Sequence, residues 1–291
     1  MRTIKSLIND ELSSRASRRG IRRDITVEDI YYKHPELEKI DSDMVALRAS
    51  RILAAFEDKE APLKAMEVRE NELKNLREEY IRKNNIDPDF DEEKAFCKEC
   101  NDEGFVTSPK GIKVVCRACM KEEIEEAFEI AGLRDYTSYK IKNYDANYYG
   151  DKKSRNGHLK GFMKLFEEGT EGNPIRLYSD IGSNGKTFLS VIATKYAILE
   201  GKSAYYIKAE NFINADENLK DFLKQCDFLV IDDYSAELTR KWQIASGINS
   251  VLEARYASDR PVVLVSSAYR EQLISDSDER IAQKIKRSAS V

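Results

Sequence analysis

The chain has no long apolar run. Nothing in its 291 residues approaches the ~18 consecutive apolar positions of a membrane-spanning helix, and the N-terminus carries no secretory-signal pattern. The expectation is a cytoplasmic protein without membrane contact, whose thiols stay reduced and form no disulfides. Charge of one sign is also lacking. The 48 Lys and Arg against 52 Asp and Glu leave a net charge of −4, so no global field marks a nucleic-acid binder. Histidine is scarce, and neither His34 nor His158 has a partner at metal-ligand spacing. Both are assigned to surface or core roles.

What the chain does have is Gly182-Ser183-Asn184-Gly185-Lys186-Thr187, followed about 45 residues on by Phe228-Leu229-Val230-Ile231-Asp232-Asp233. The first is most of a phosphate-binding loop and the second an apolar strand ending in two carboxylates. Small residues let backbone N–H groups turn inward on a β-phosphate. Lys186 reaches the β- and γ-phosphates, and the Thr187 hydroxyl ligates Mg²⁺. Asp232 falls where a carboxylate holds that metal, and Asp233 where one polarises the attacking water. Ile175 to Ser179 before the loop reads as a strand and Phe188 to Leu199 after it as a helix, which is the context the motif requires. The expected ligand is a nucleoside triphosphate with Mg²⁺. One residue departs from the GxxxxGK[ST] signature: Asp180 stands in place of the first glycine, and a carboxylate there opposes a triphosphate.

Four of the five cysteines form Cys97-x-x-Cys100 and Cys116-x-x-Cys119, separated by fifteen residues that include Gly104, Pro109 and Gly111. The spacing predicts two knuckles joined by a hairpin and closing one tetrahedral zinc site. Four thiolates leave no open position, so such a zinc is structural. Redox-active dithiols or unrelated core cysteines are the other readings open to this pattern. Cys226 reads as a small buried residue.

The remaining pattern divides the chain into a helical domain (1–90), a zinc-binding segment (91–132), a Tyr-rich linker (133–160) and a nucleotide-binding domain (161–291). In the first, Ile40, Met44, Leu47, Ile52 and Phe56 recur at helical spacing. A second stretch with Met66, Leu73, Leu76 and Tyr80 starts at Pro62 and breaks at Asn84 to Pro88, predicting an antiparallel helical hairpin. It serves either as a scaffold or as a partner-docking module. Residues 1–23 carry seven Lys and Arg, which form either an arm for nucleic acid or an acidic partner, or a solvated helix end. Short helices are expected over Glu122–Ile130, with a turn at Gly132, and over Gly161–Phe166. From Pro174 on, candidate strands Ile175–Ser179, Ala204–Ile207, Phe228–Ile231 and Val262–Ser266 alternate with helices. The fold class is therefore α/β, a mostly parallel sheet covered on both faces, with its ligand at the carboxyl ends of the strands. Tyr205, Tyr206, Tyr234 and Tyr256 are the aromatic candidates for stacking with single-stranded DNA, although most tyrosines so placed simply pack.

Taken in order, the motifs resemble the bacterial DnaC/DnaI-type helicase loaders, AAA+ P-loop ATPases. The resemblance covers nearly the whole chain and is carried by Tyr32-Lys33-His34-Pro35-Glu36-Leu37 with Ile40-Asp41, by Cys97-Lys98-Glu99-Cys100-Asn101-Asp102-Glu103-Gly104-Phe105-Val106, and by the two nucleotide motifs. It implies an AAA+ domain with a reduced or absent helical lid, ATP as the nucleotide, and a protein that binds the hexameric replicative DNA helicase and assists its loading onto single-stranded DNA. It also implies self-association through the ATPase domain. The helicase contact is assigned to the N-terminal part. Pro261 to Ser267 looks like the sensor strand, with Ser267 where relatives carry asparagine. Lys284 falls at the arginine-finger position, with Arg280 and Arg287 nearby, and lysine lacks the bidentate fork. Asp180, Ser267 and Lys284 together predict a weak ATPase. The alternatives are a nucleotide-binding adaptor that does not hydrolyse and a transposition helper ATPase of the IstB-like kind. The zinc segment and helical N-terminus argue against the latter.

Overall fold

The structure is a computed structural model describing residues 1–56, 60–109, 111–140, 143, 174–179, 185–235, 242–277 and 279–290. The expected helix over 161–166, the loop residues Asp180, Gly182, Ser183 and Asn184, His158 and the tyrosines from 144 to 149 lie outside the described residues. The chain forms two compact units, one of Met1–Glu11 with Glu103–Val291 and the other of Leu12–Asp102.

The smaller unit is helical. Helix α1 (Ile4–Lys33) ends at His34, and Pro35 opens α2 (Pro35–Phe56), where its fixed φ and missing N–H suit the first turn. Helix α3 (Glu60–Lys83) stops where Asn85 turns left-handed at φ 53°. Helices α2 and α3 run antiparallel, because Arg77 of α3 reaches Asp41 near the start of α2 at 2.7 Å while Glu70 takes Arg51 near its end at 2.7 Å. Leu37, Ile81, Ile86 and Phe90 form the core, with Val27, Ile30, Tyr31 and Tyr80 packed on it. The conspicuous Tyr-Lys-His-Pro-Glu-Leu run is thus largely a helix junction: His34 packs edge-on to Tyr80, Leu37 is fully buried, and Asp41 accepts the Tyr31 hydroxyl at 2.8 Å. Burial drives the Tyr31 phenol upward, and the neighbouring carboxylate adds to it. The helical spacing overextends the buried stripe. Met44 and Leu73 are buried, but Ile52 and Leu76 are exposed, because a two-helix contact covers only a narrow face of each helix.

The basic N-terminal segment is helical, and its cations are used within the chain. Arg15 and Arg19 reach Asp102 at 3.6 and 3.3 Å, and Arg18 and Arg22 lie over the Phe96 ring. Burial opposes ionisation of Asp102, but the N–H groups of Phe96 and Cys97, together with Arg19 and Arg15, outweigh it and hold the carboxyl below its ordinary range.

The larger unit carries the sheet. A hairpin of β1 (Phe105–Thr107) and β2 (Lys113–Val115) bridges the two cysteine pairs, with Gly104 and Gly111 at positive φ as its turns demand. Five parallel strands follow: β3 (Ile175–Ser179), β4 (Ala204–Lys208), β5 (Phe228–Asp232), β6 (Val262–Ser266) and β7 (Ala289–Ser290). Their spatial order is β4-β5-β6-β3-β7. The near-continuous apolar runs of β3, β5 and β6 suit strands covered on both faces. On one face Ile175, Leu177, Ile207, Leu229, Ile231, Val262 and Leu264 pack with Leu223 of α6 (Glu217–Gln225) and with Ile244, Ile248, Val251 and Leu252 of α7 (Trp242–Ala257). Leu273 of α8 (Arg270–Asp276) and Ile281 and Ile285 of α9 (Glu279–Lys286) complete that layer. Helix α5 (Lys186–Leu199) is buried along most of its length and lies against β4, β5 and β6.

One polar group holds the lower rim of this sheet. Arg255 is fully buried; its Nη1 donates to the carbonyls of Leu223 at 2.7 Å and Cys226 at 2.8 Å, and its Nη2 to that of Pro261 at 2.5 Å. It thereby joins the end of α6, the approach to β5 and the approach to β6. Burial lowers its pKa, and burial raises that of the Cys226 thiol 3.4 Å away. Arg255→Leu keeps an apolar stem but leaves three carbonyls without their donor. A stability loss of about 3 kcal/mol or more is expected in urea denaturation; an unchanged midpoint would contradict the bracing role.

Candidate nucleotide site and cysteine cluster

The carboxyl edge of the sheet gathers the sequence-selected residues. The register pairs Ser179 with Ser266 and Lys208 with Asp232, so the strand before the loop, the acidic strand and the sensor-like strand end together. Gly185 caps α5 in the left-handed region at φ 79°, a conformation that costs an L side chain ~1–2 kcal/mol. Lys186 and Thr187 occupy the first turn, so the helix N-terminus opens where a phosphate is favoured. Lys186 is buried, and Thr187 is half-buried.

Asp232 is 1% exposed at the end of β5. A buried carboxylate requires donors, and it has two. Its Oδ1 accepts the Asp233 N–H at 2.8 Å, and its Oδ2 accepts the Tyr206 hydroxyl at 2.6 Å. Asp233 sits at φ 53°, which swings its side chain out of the strand, and its carboxylate meets the Lys208 ammonium at 3.2 Å. That contact raises the Lys208 pKa. Carboxylate and hydroxyl oxygens are hard donors, so Asp232 with Thr187 fits Mg²⁺.

A second layer comes from the start of the Tyr-rich segment, whose Tyr136 and Tyr139 pack on Tyr206 and Phe188. Beyond α4 (Lys121–Phe128), a π-turn over Glu129–Leu133 and a 3-10 turn over Arg134–Tyr136 pack on β4 and α5. Gly132 is at φ 79°, and a Cβ there would come within 2.3 Å of the Tyr206 carbonyl oxygen. The Lys195 ammonium of α5 donates to the carbonyls of Tyr136 at 2.6 Å and Tyr139 at 2.9 Å. Burial lowers its pKa, with Lys140 adding to the effect. The expected turn at Gly132 hinted at this layer; Lys195 and Tyr206 gave no local signal.

Other candidates lie elsewhere. Ser267 follows β6 and is exposed, whereas the buried Ser266 Oγ accepts the Ala268 N–H at 3.1 Å. Lys284 of α9 turns toward α7 of its own chain, 3.9 Å from Glu253 and above the Tyr256 ring. Tyr205 packs on Phe222, Tyr234 is buried, and Tyr256 and Tyr205 border the core. All four stacking candidates, Tyr206 included, are therefore occupied by packing.

The cysteine pairs meet. The Sγ atoms of Cys97, Cys100, Cys116 and Cys119 lie within 4.8 Å of one another, and three of the four residues are buried. A tetrahedral zinc with Zn–S near 2.3 Å needs sulfurs roughly 3.8 Å apart, so the set fits with little adjustment. Asp102, at φ 58°, closes the first knuckle by accepting the Phe96 and Cys97 N–H groups at 2.9 Å each.

Residues 164–291 match the family described as the bacterial DnaA ATPase domain. The match covers less than half of the chain. Among solved structures, AMPPCP-bound DnaA from Aquifex aeolicus is 21% identical, covers 53% of this chain and 50% of its own, and has a TM-score of 0.43. A primosome component from Streptococcus pyogenes serotype M3 is 19% identical, with 53% and 87% covered and a TM-score of 0.40. A DnaI structure is 19% identical, with 52% and 89% covered and a TM-score of 0.38. The chain spans about half the length of the DnaA structures it matches. At these identities and scores the structural likenesses carry no functional weight. No curated protein matches the chain. The parallel sheet is an AAA+ ATPase fold, and it lies within the stretch that matches the DnaA ATPase domain. Among the described residues, no helix is long and apolar enough to cross a membrane.

The cysteine cluster yields a direct expectation. The full chain should hold one zinc, measured by metal analysis with a chromogenic chelator, and Cys116→Ser should hold none and melt at a lower temperature. Full zinc retention by the variant would contradict a four-thiolate site.

Proposed function

We propose that the chain is a cytoplasmic ATP-binding protein of DNA replication that binds the hexameric replicative helicase and assists its loading onto single-stranded DNA, with weak ATPase activity. What supports the nucleotide half is the order of the elements: strand β3, then a helix that opens on Gly185, Lys186 and Thr187, with the buried Asp232 ending β5 of the same sheet. In this reading Gly182, Ser183, Asn184 and Gly185 wrap the phosphates and Lys186 neutralises the β- and γ-oxygens. Thr187 and Asp232 hold Mg²⁺, and Asp233 polarises the water. ATP supplies the energy of a switch between conformations of different partner affinity.

Two contacts favour slow turnover. Asp233 is paired with Lys208, so the carboxylate proposed as the base begins in an ion pair. Lys284, at the finger position, rests on Tyr256 of its own chain and offers no bidentate fork. The same contacts favour a second reading, an adaptor that binds nucleotide without hydrolysing it. Ser267 is left as the sensor hydroxyl, and self-association through the ATPase domain is retained as the means of completing the site. The helical unit takes the helicase. Ile21, Ile25 and Tyr32 recur on one side of α1 and are 61%, 56% and 90% exposed, an apolar stripe suited to a protein partner.

The test is Mg-ATP affinity and turnover for the native chain and Lys186→Ala, with and without single-stranded DNA, alongside capture of purified helicase. Lys186→Ala should weaken Mg-ATP binding about 10–100-fold. The native chain should turn over slowly and should retain helicase in an ATP-sensitive way. Undiminished binding by the variant would remove the nucleotide site, and absence of helicase capture would remove the loader.

A further inference from the structure

Asp232 is hydrogen-bonded to a side chain that the nucleotide reading does not use. Tyr206 lies on β4, buried, with its hydroxyl 2.6 Å from Asp232 Oδ2. An ionised carboxylate can only accept, so the phenol is the donor of this bond. Asp232 Oδ1 is held separately by the Asp233 N–H. With one donor on each oxygen the carboxylate plane cannot rotate freely, and each oxygen keeps lone-pair capacity for a cation.

Tyr206 is itself held. The Tyr136 hydroxyl is 3.3 Å from the Tyr206 hydroxyl, and the two rings meet edge-on at 5.2 Å. Because the Tyr206 proton goes to Asp232, the proton between the two phenols must come from Tyr136. Tyr136 is anchored by Lys195, which takes its carbonyl at 2.6 Å, and the segment comes close enough only because Gly132 has no Cβ to strike the Tyr206 carbonyl. Tyr139 closes the far side by packing on Phe188 at 5.0 Å, one residue after Thr187.

We propose that Tyr206 is a positioning residue for the Mg²⁺-binding carboxylate of Asp232, and that Tyr136 fixes Tyr206 in that role. This rests on the nucleotide site described above. A ligand oriented by an outer hydrogen bond loses metal affinity when the bond is removed, typically 10–100-fold. The Tyr136-Tyr206-Asp232 chain therefore makes the metal affinity depend on the seating of the 132–139 segment, which lies outside the loop and the acidic strand.

The experiment titrates Mg²⁺ against binding of a fluorescent ATP analogue to the full chain, with a parallel measurement in EDTA. Tyr206→Phe, which retains the ring, should raise the Mg²⁺ concentration for half-effect about 10-fold while leaving the EDTA affinity unchanged. Tyr136→Phe should shift it in the same direction by less. In an Asp232→Ala background Tyr206→Phe should add nothing, since the interaction it removes is already gone. Equal weakening with and without Mg²⁺ would mean an ordinary packing role and overturn the proposal, as would an unchanged Mg²⁺ requirement in Tyr206→Phe. An unmoved Tyr136→Phe would overturn the second link. If the native chain shows no Mg²⁺-dependent nucleotide binding, the nucleotide reading fails and this inference fails with it. A normal native requirement that Tyr206→Phe leaves untouched sinks the positioning role alone.

Discussion

A carboxylate buried at the end of a parallel strand is the constraint on which the larger unit depends. Asp232 sits at the end of β5, out of water, and an unpaired charge there would cost several kcal/mol. Two donors, the Asp233 N–H and the Tyr206 hydroxyl, satisfy it. The first comes from Asp233, whose backbone is left-handed and whose side chain meets Lys208. The second fixes a tyrosine on β4, whose environment is completed by Tyr136 and by the bare face of Gly132. Lys195 then ties this segment to α5, the helix that begins with Lys186 and Thr187. The candidate phosphate-binding turn and the candidate metal ligand are thus joined through side chains as well as through the sheet.

Much of this architecture was legible in the chain. The strands expected over Ile175–Ser179, Ala204–Ile207, Phe228–Ile231 and Val262–Ser266 are found, with β4 and β5 each one residue longer, because short apolar runs between helical stretches leave little choice for buried strands. The α/β parallel sheet, the helical hairpin and the meeting of four cysteines followed from periodicity and spacing. Hidden from the sequence were the contacts that bind distant segments. Tyr206 looked like one of several stacking candidates, because its partner lies 26 residues away on the next strand. Lys195 on an apolar helix and Arg255 on another carry no local sign that they hold carbonyls 59 and 32 residues away. The basic run at the N-terminus gave the opposite difficulty. Its charge was obvious, but its partners, Glu93, Asp102 and the ring of Phe96, become neighbours only on folding.

Function divides along similar lines. In the helical unit the buried Glu70 carboxylate gathers Arg48, Arg51 and Lys74. Its α1 exposes an apolar stripe of Ile21, Ile25 and Tyr32. The larger unit places Lys208, Asp232 and Asp233 at the carboxyl edge of its sheet. Helices with an exposed apolar stripe and a sheet with a phosphate-facing helix end suit a protein that couples nucleotide state to partner contact. The Lys208–Asp233 pair and the inward-packed Lys284 suit slow cycling.

Hydrogen–deuterium exchange with and without Mg-ATP offers the sharpest view of the nucleotide edge, since it reports on backbone amides in place. Protection should appear in two separated peptides, one spanning the loop and first turn of α5 through Leu189 and one spanning Asp232 to Tyr234, and should diminish when Mg²⁺ is withheld. Uniform exchange across both peptides, or protection confined to the helical unit, would contradict a nucleotide site at the carboxyl ends of β3 and β5.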